Sequence, residues 1–186
     1  MANLDAPRGF TPVMLKDSDV HMYYKAAAVI LGVGDPVIRV TNSSDPLGYS
    51  MVTRATTGAA ITGVVVAILP SVGRTTKHLA SADTGYVLVA DNPSQLFKVQ
   101  DNGGATGLIV TQIGEHIDSV AALNANTTTG RSNYELDTEA VATGNTWRVE
   151  SKDNAPGNVV GANCVWIVKP NLHTEANASA TNITEV

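Results

Sequence analysis

The sequence has almost no cysteine: Cys164 is the single one among 186 residues. One cysteine cannot close a disulfide within the chain, so nothing indicates a disulfide framework or an oxidising compartment. Cys164 is followed by Val165 and Trp166 in the apolar segment GANCVWIV. We therefore predict a small, buried apolar side chain at this position rather than a reactive nucleophile.

Charged and aromatic side chains are also scarce. Charged residues make up 16% of the chain and aromatic residues 5%, whereas soluble domains commonly carry about 25% charged residues. The basic residues stand singly and the formal net charge is −5, so the chain lacks the basic surface that displaces counterions from nucleic acid. We expect no direct nucleic-acid binding. The few aromatic residues also argue against a carbohydrate groove or a base-stacking platform.

Neither a membrane span nor a signal peptide is indicated. The apolar run VVVAILP is far too short to cross a bilayer. The first residues, MANLDAPRGF, contain no apolar core of the kind that signal peptides carry. We expect a soluble chain that is made in a cytoplasm and has no membrane partner.

Motifs for catalysis, metal binding and cofactor binding are missing as well. The segment GVGDP at Gly32 lacks the GxGxxG spacing and following helix of a nucleotide loop, and DNGG at Asp101 lacks the spaced oxygen ligands of a calcium loop. There is no GxSxG, HxH, HExxH or CxxC. We predict no catalytic, metal-binding or cofactor-binding residue, and no active site built from Cys164 and the histidines. The four histidines have no partner at metal-ligand spacing: His21, His78, His116 and His173.

What the sequence does contain is a series of short apolar runs. Hydrophobic residues make up 44% of the chain, enough to bury a core. From Asp35 onward these runs alternate between apolar and polar residues and are separated by Gly, Pro, Asn and Asp, which is typical of strands. We predict a mainly β fold, with a single β-sandwich or β-barrel domain over residues 21–170. An extended N-terminal arm (1–20) precedes it and a polar C-terminal tail (171–186) follows.

Individual segments give sharper predictions. YVLVADNPSQLFKVQ, residues 86–100, indicates a structural hairpin of two strands around a polar corner. AAITGVVVAIL, residues 59–69, indicates a long central strand with a bulge at Gly63. Residues 21–33 fit either a strand or one helical turn. We further predict that eight residues are mostly buried in one β-core: Val64, Val66, Ile68, Val87, Val89, Phe97, Trp166 and Val168.

Six segments in order carry a resemblance to a known class of proteins: MANLDAPRGFTPV, GDPVIRV, VTRATTGAAITGVVVAILP, YVLVADNPSQLFKVQ, TTTGRSNYELDT and VVGANCVWIVKPNLH. Together they run from Met1 to about His173. They resemble structural proteins of the virion that tailed bacteriophages encode in their head gene clusters, some of which are similar to capsid decoration (cement) proteins.

This resemblance implies a function. It implies a bacteriophage capsid decoration protein, made in the bacterial cytoplasm, that binds the outer head lattice and stabilises the capsid. The implied partners are the major capsid protein and further copies of this chain, with a trimer favoured over a dimer. Two alternatives remain open: a head–tail joining or tail structural protein, and a glycan-binding β-module or a hydrolase.

The N-terminal arm is the part of the chain that we expect to bind a partner. Prolines oppose both helix and ladder, yet the arm carries apolar side chains that a free tail would not need. We predict that it becomes ordered on a sister subunit or the major capsid protein, with Phe10 as the main anchor. The alternative is that Phe10 and Val13 fold back on their own domain. The predicted partner-binding residues are Pro7, Arg8, Phe10, Pro12 and Val13.

Overall fold

The chain is mainly β, as predicted. A computed structural model describes residues 3–26, 28–70, 76–104, 106–120, 124–141 and 145–177. The strands within these ranges are β1 (Thr11–Pro12), β2 (Val20–Lys25), β3 (Pro36–Ser44), β4 (Ser50–Arg54), β5 (Gly63–Ile68), β6 (Tyr86–Ala90), β7 (Phe97–Gln100), β8 (His116–Ser119), β9 (Leu136–Val141), β10 (Trp147–Lys152) and β11 (Val165–Pro170). The helical elements are two 3-10 turns, Asp17–Asp19 and Val110–Gln112, and a short helix α1 (Thr174–Asn177).

The strands form two sheets. One has six strands in the order β1-β7-β11-β10-β8-β9, and the other closes into a five-stranded barrel in the order β2-β4-β3-β5-β6. Neighbouring strands are antiparallel except β2 and β4, which are parallel. The closed barrel confirms the predicted fold class of a sandwich or barrel. For residues 21–33, the structure has the strand alternative as far as Lys25, where β2 ends.

The segment over residues 86–100 is not a hairpin, although both of its strands are present. β6 lies in the barrel, where Val89 pairs with Val65, while β7 lies in the six-stranded sheet, where Phe97 pairs with Pro12. The corner between them is tied to the N-terminal segment, because Gln95 Nε2 donates to the Val13 carbonyl at 2.8 Å. The corner therefore carries the chain from one sheet to the other, and the hairpin prediction is wrong.

The apolar residues form two cores rather than the predicted one. The sheet core lies against the six-stranded sheet, and the barrel core takes side chains from each of the five barrel strands. Of the eight predicted core residues, four are fully buried in the sheet core and two in the barrel core, while one half-buried valine and one half-buried isoleucine pack against them. The four in the sheet core are Val64, Phe97, Trp166 and Val168. The two in the barrel core are Val87 and Val89, and the two half-buried residues are Val66 and Ile68.

The bulge in β5 explains how one strand serves both cores. The pairing with β6 shifts between Val65 and Ala67, which leaves Val66 as the extra residue. Val64 faces the sheet core and Val65 the barrel core, and both are fully buried. The predicted bulge at Gly63 is therefore displaced along the strand. Gly63 instead lies against the backbone of β6, where a β-carbon would collide with the Ala90 carbonyl.

The predicted C-terminal tail begins later than residue 171. Ile61 N donates to the Leu172 carbonyl at 3.1 Å, and Thr174 N donates to the Ile61 carbonyl at 2.8 Å. His173, between them, is 1% exposed. Residues 171–177 are thus bound to the rest of the domain, while residues 178–186 of the predicted tail lie outside the described part of the chain.

Candidate functional site

The N-terminal segment, residues 3–13, is extended, and it lies along its own domain. The Asn3 side chain donates to the Val159 carbonyl at 2.8 Å and accepts from Val159 N at 3.0 Å. Gln100 Nε2 donates to the Leu4 carbonyl at 2.6 Å, while its Oε1 accepts from Ala6 N at 3.1 Å. These side chains of one domain satisfy the backbone of the segment in place of a neighbouring subunit.

Phe10 corrects the prediction of a partner anchor. Its side chain is 1% exposed, and its ring stacks on Trp147 and meets Phe97 edge-on. Pro12 and Val13 are also bound to their own domain, through β1 and through the Val13 N–Leu96 O hydrogen bond of 2.8 Å. Phe10 is therefore part of the sheet core, and its predicted role on another chain is wrong. Among the other predicted partner residues, Pro7 is half-buried and Arg8 exposed.

Exposed apolar side chains lie near the start of the chain and on two loops. The Asn3–Val159 hydrogen bonds bring the start of the chain to the loop before β11, and Gly107 packs against the backbone of Gly161 in that loop. Three chain segments thus meet beside the six-stranded sheet. We call their exposed residues the apolar loop surface; each side chain is between 41% and 80% exposed. The residues are Leu4, Ile109, Val110, Val159 and Val160.

The histidines and the cysteine lie in separate environments. Cys164 is fully buried in the sheet core, which confirms the predicted buried side chain, and burial raises the pKa of its thiol to about 11. His78 is 6% exposed and His173 is 1% exposed, whereas the side chain of His21 is 63% exposed. Within the described ranges, no hydrogen bond joins the side chain of Cys164 or of any of the four histidines to another of this set.

His21 belongs to a cleft of about 650 Å³, which opens where β2, β3, the β3–β4 turn, the β6–β7 corner and α1 meet. The cleft gathers several polar side chains from distant elements of the described chain around one opening. We call it the His21 cleft. Its polar wall includes Asp19, His21, Tyr23, Arg39, Tyr49, Asp91 and Glu175.

A chain of hydrogen bonds orders this wall. Asp91 accepts from His21 Nδ1 at 2.8 Å and from the Tyr23 hydroxyl at 2.7 Å. Arg39 Nη2 donates to the Tyr23 oxygen at 3.1 Å and lies 3.3 Å from Glu175 Oε1. The Arg39 guanidinium also lies over the Tyr23 ring, 5.6 Å from its centroid. The five side chains therefore hold one another in fixed orientations.

The protonation state of Tyr23 is consistent with these hydrogen bonds. Burial, followed by the hydrogen bond to Asp91, raises the pKa of its hydroxyl to about 12. The hydroxyl therefore keeps its proton at neutral pH and remains the donor to Asp91. The hydrogen bond that Arg39 donates to the Tyr23 oxygen raises the pKa of Arg39 above its usual value. Because His21 Nδ1 points at a carboxylate, its Nε2 is the ring nitrogen that faces the opening.

Two carboxyl groups outside the cleft have raised pKa values. Burial raises the pKa of Asp35 to about 6, although Gly32 N donates to its Oδ2 at 2.8 Å. Burial, with the charges of Asp5 and Asp101, raises the pKa of Glu135 to about 7. Asp35 is buried and Glu135 half-buried, and neither lines the His21 cleft.

The residues of this cleft are far apart in the chain, and no sequence motif connects them. His21 and Tyr23 are two residues apart on a strand, so the alternation of side chains was a usable signal that they share a face. Asp91 comes from a corner 70 residues further on, and nothing local connects it to them. Arg39 and Glu175 were equally missed, because their contact depends on the packing of α1 on the barrel.

Two further features of the described residues bear on the site. No three or more His, Cys, Asp or Glu side chains in that part of the chain are grouped so that they could hold a metal ion. None of its helices combines the length and the apolar character that a membrane crossing needs. In comparisons with known proteins, no family description, no curated protein and no solved structure matches this chain.

Proposed function

We propose that this chain is a bacteriophage capsid decoration protein that binds the outer face of the head lattice and stabilises the capsid. It acts as a homo-oligomer, with a trimer favoured, and its partner on the head is the major capsid protein. The proposal involves no catalytic step, cofactor, nucleic acid or membrane. It rests on the resemblance of six sequence segments to virion proteins of this kind, together with one structural observation.

That observation is the apolar loop surface. Five exposed aliphatic side chains come from three segments that are held next to one another through the Asn3–Val159 hydrogen bonds and the packing of Gly107 on Gly161, and exposed apolar patches are uncommon unless they are used for association. Leu4 is 80% exposed and Val110 55% exposed. Removing them from water on contact with another protein contributes about 25 cal/mol for each Å² that is buried.

The surface is also held in place before any partner arrives. Asn3 is bound to Val159, and Asn158 ties the same loop to β11 through hydrogen bonds with Val165 of 2.8 and 2.9 Å. A loop that is already ordered loses little conformational entropy on binding. Many copies on a lattice then turn a modest affinity per contact into firm attachment.

Sedimentation with heads tests the proposal. Heads of the virus that encodes the chain, prepared without this protein, are mixed with the purified chain and pelleted. We expect the chain to pellet with heads and not with isolated tails. The substitution Val110→Asp places a charge in the apolar loop surface and should reduce retention on heads at least about tenfold, since an unpaired charge in an interface costs several kcal/mol.

Leu47→Asp is the matched control. Leu47 is 74% exposed on the β3–β4 turn of the barrel, so the same change in charge and size is made outside the apolar loop surface. Retention of this variant should equal that of the unchanged chain, and both variants should melt normally. Pelleting with tails alone would favour the head–tail joining or tail alternative. Failure to pellet with either would overturn the proposal.

A further inference from the structure

We propose that the His21 cleft is a binding site for a neutral saccharide of one or two sugar units. This inference is independent of attachment to heads and adds a second function to the chain. It is carried by the polar groups of the cleft that have no partner, by the rigidity of the groups that hold them, and by the charge balance of the wall.

The free polar atoms of the cleft include both donors and acceptors. Arg39 uses Nη2 for its contacts, which leaves Nε and Nη1 as donors, and the Tyr49 hydroxyl is a further group without a partner in the described chain. The acceptors are Glu175 Oε2 and Asp19 Oδ2, and His21 Nε2 adds a ring nitrogen that can hydrogen-bond a ligand. A sugar hydroxyl donates one hydrogen bond and accepts others at the same time. A wall of mixed donors and acceptors therefore matches a polyhydroxyl ligand.

The side chains that carry these atoms are already oriented. Asp91 fixes His21, and Tyr23 fixes Arg39, as described above. Asn92 Nδ2 donates to Asp19 Oδ1 at 3.1 Å, which leaves the other oxygen of that carboxylate for a ligand. Weak ligands such as small sugars gain most from such order, because the protein loses little freedom when they bind.

The charge of the wall favours a neutral ligand over an ion. The carboxylates of Asp19, Asp91 and Glu175 outnumber the guanidinium of Arg39, so an anion would meet net repulsion. For a cation, both oxygens of Asp91 already accept from His21, one oxygen of Glu175 is paired with Arg39, and no three His, Cys, Asp or Glu side chains of the described residues are grouped to hold a metal ion. A ligand without charge avoids both difficulties.

The size and the aromatic content set the length of the ligand. A volume of about 650 Å³ lies within the usual range of small-molecule sites, roughly 300–1,000 Å³. Tyr49 lines the cleft and is half-buried, with its ring held edge-on against Tyr86 at 5.5 Å. It offers one aromatic surface for the C–H face of a sugar. The scarcity of aromatic residues, which argues against a long carbohydrate groove, is compatible with a site for one or two units.

Ligand-observed NMR on the complete purified chain tests the inference. The probes are the methyl glycosides of glucose, galactose, mannose and N-acetylglucosamine, with maltose, lactose and chitobiose as disaccharides. We expect at least one probe to bind with a Kd on the order of 1 mM. His21→Ala and Tyr49→Phe each remove a polar group from the wall, and each should weaken that binding about threefold or more. Arg39→Gln should weaken it about tenfold, since hydrogen bonds to charged groups are the stronger ones.

Arg148→Gln is the matched control for Arg39→Gln. The Arg148 side chain is 39% exposed and pairs with Glu150, while that of Arg39 is 42% exposed and pairs with Glu175. The control should bind the sugar as the unchanged chain does, and all variants should melt within a few degrees of it. Absence of binding by every probe would overturn the inference, as would binding that none of the cleft substitutions weakens. Because no particle is present, the result is separate from that of the head-binding experiment.

Discussion

The Phe10 ring stacks on the Trp147 ring, with the two centroids 4.0 Å apart and 17° between the ring planes. The two residues are 137 positions apart in the chain, and both are almost completely buried. This contact joins the N-terminal segment to β10 and makes the segment part of the sheet core.

The first prediction concerns Phe10→Ala. Because the ring fills space between Trp147 and Phe97, its removal should lower the free energy of unfolding by about 3–5 kcal/mol, as is usual for a buried phenylalanine. Urea denaturation of the purified variant measures this. Met14→Ala is the control, since Met14 is 90% exposed and should cost little. A loss of less than about 1 kcal/mol for Phe10→Ala would mean that the ring does not occupy the core in solution.

The second prediction compares neighbouring positions in β5. Val65 is fully buried in the barrel core, whereas Val66 is the half-buried extra residue of the bulge. Val65→Asp should abolish soluble folding, because an unpaired buried carboxylate costs several kcal/mol. Val66→Asp should give a soluble protein that melts at a lower temperature, since its carboxylate can reach water. Soluble yield and thermal melting of the two variants check this, and the reverse order would place the bulge elsewhere.

The third prediction concerns pH and Glu135. The folded chain holds the Glu135 proton up to about pH 7, whereas the ordinary value for this carboxyl is 4.5. Between these values the folded state binds more protons than the unfolded state, so the stability that this group influences falls as the pH rises. The penalty is absent below about pH 4.5 and fully present above pH 7.

Glu135→Gln should remove that dependence. The variant should be more stable than the unchanged chain at pH 8 and lose this advantage by about pH 4.5. Glu139→Gln is the control, because Glu139 is exposed and the substitution removes the same charge. Asp35 also has a raised pKa, but it is present in all three proteins and cancels in the comparison. An equal difference in melting temperature at both pH values would contradict the assignment.

The fourth prediction concerns self-association. We expect a trimer in solution, and sedimentation velocity over a range of protein concentrations measures its mass. Val110→Asp tests whether the apolar loop surface joins the subunits or faces the capsid. A variant that stays trimeric but leaves the heads would assign this surface to the major capsid protein. A mass that remains that of one chain at all concentrations would contradict the predicted oligomer.

The alternation of apolar residues predicted the strands well, because each strand buries one face. β10 carries Trp147 and Val149 at alternate positions, and β11 carries Trp166 and Val168; all four are buried. The alternation does not indicate to which of the two sheets a strand belongs. β6 and β7 follow each other within a few residues yet lie in different sheets.

The N-terminal segment and the cleft escaped prediction for the same physical reason. Both depend on contacts between residues that are far apart in the chain. Gln95 holds Val13 across 82 positions, and Asp91 holds His21 across 70. Prolines in the segment indicated correctly that it is extended. The prolines carried no information on whether the apolar side chains of the segment are buried in their own domain or in a neighbouring subunit. That choice depends on the space available beside Trp147.

Electron cryomicroscopy of virus particles with and without this protein tests the proposed function most directly. We expect the difference map to contain density of this two-sheet shape on the outer face of the head, repeated with the symmetry of the lattice. In that density the apolar loop surface should face the capsid shell or a sister subunit. Density at the neck or tail, or no difference between the two maps, would contradict it.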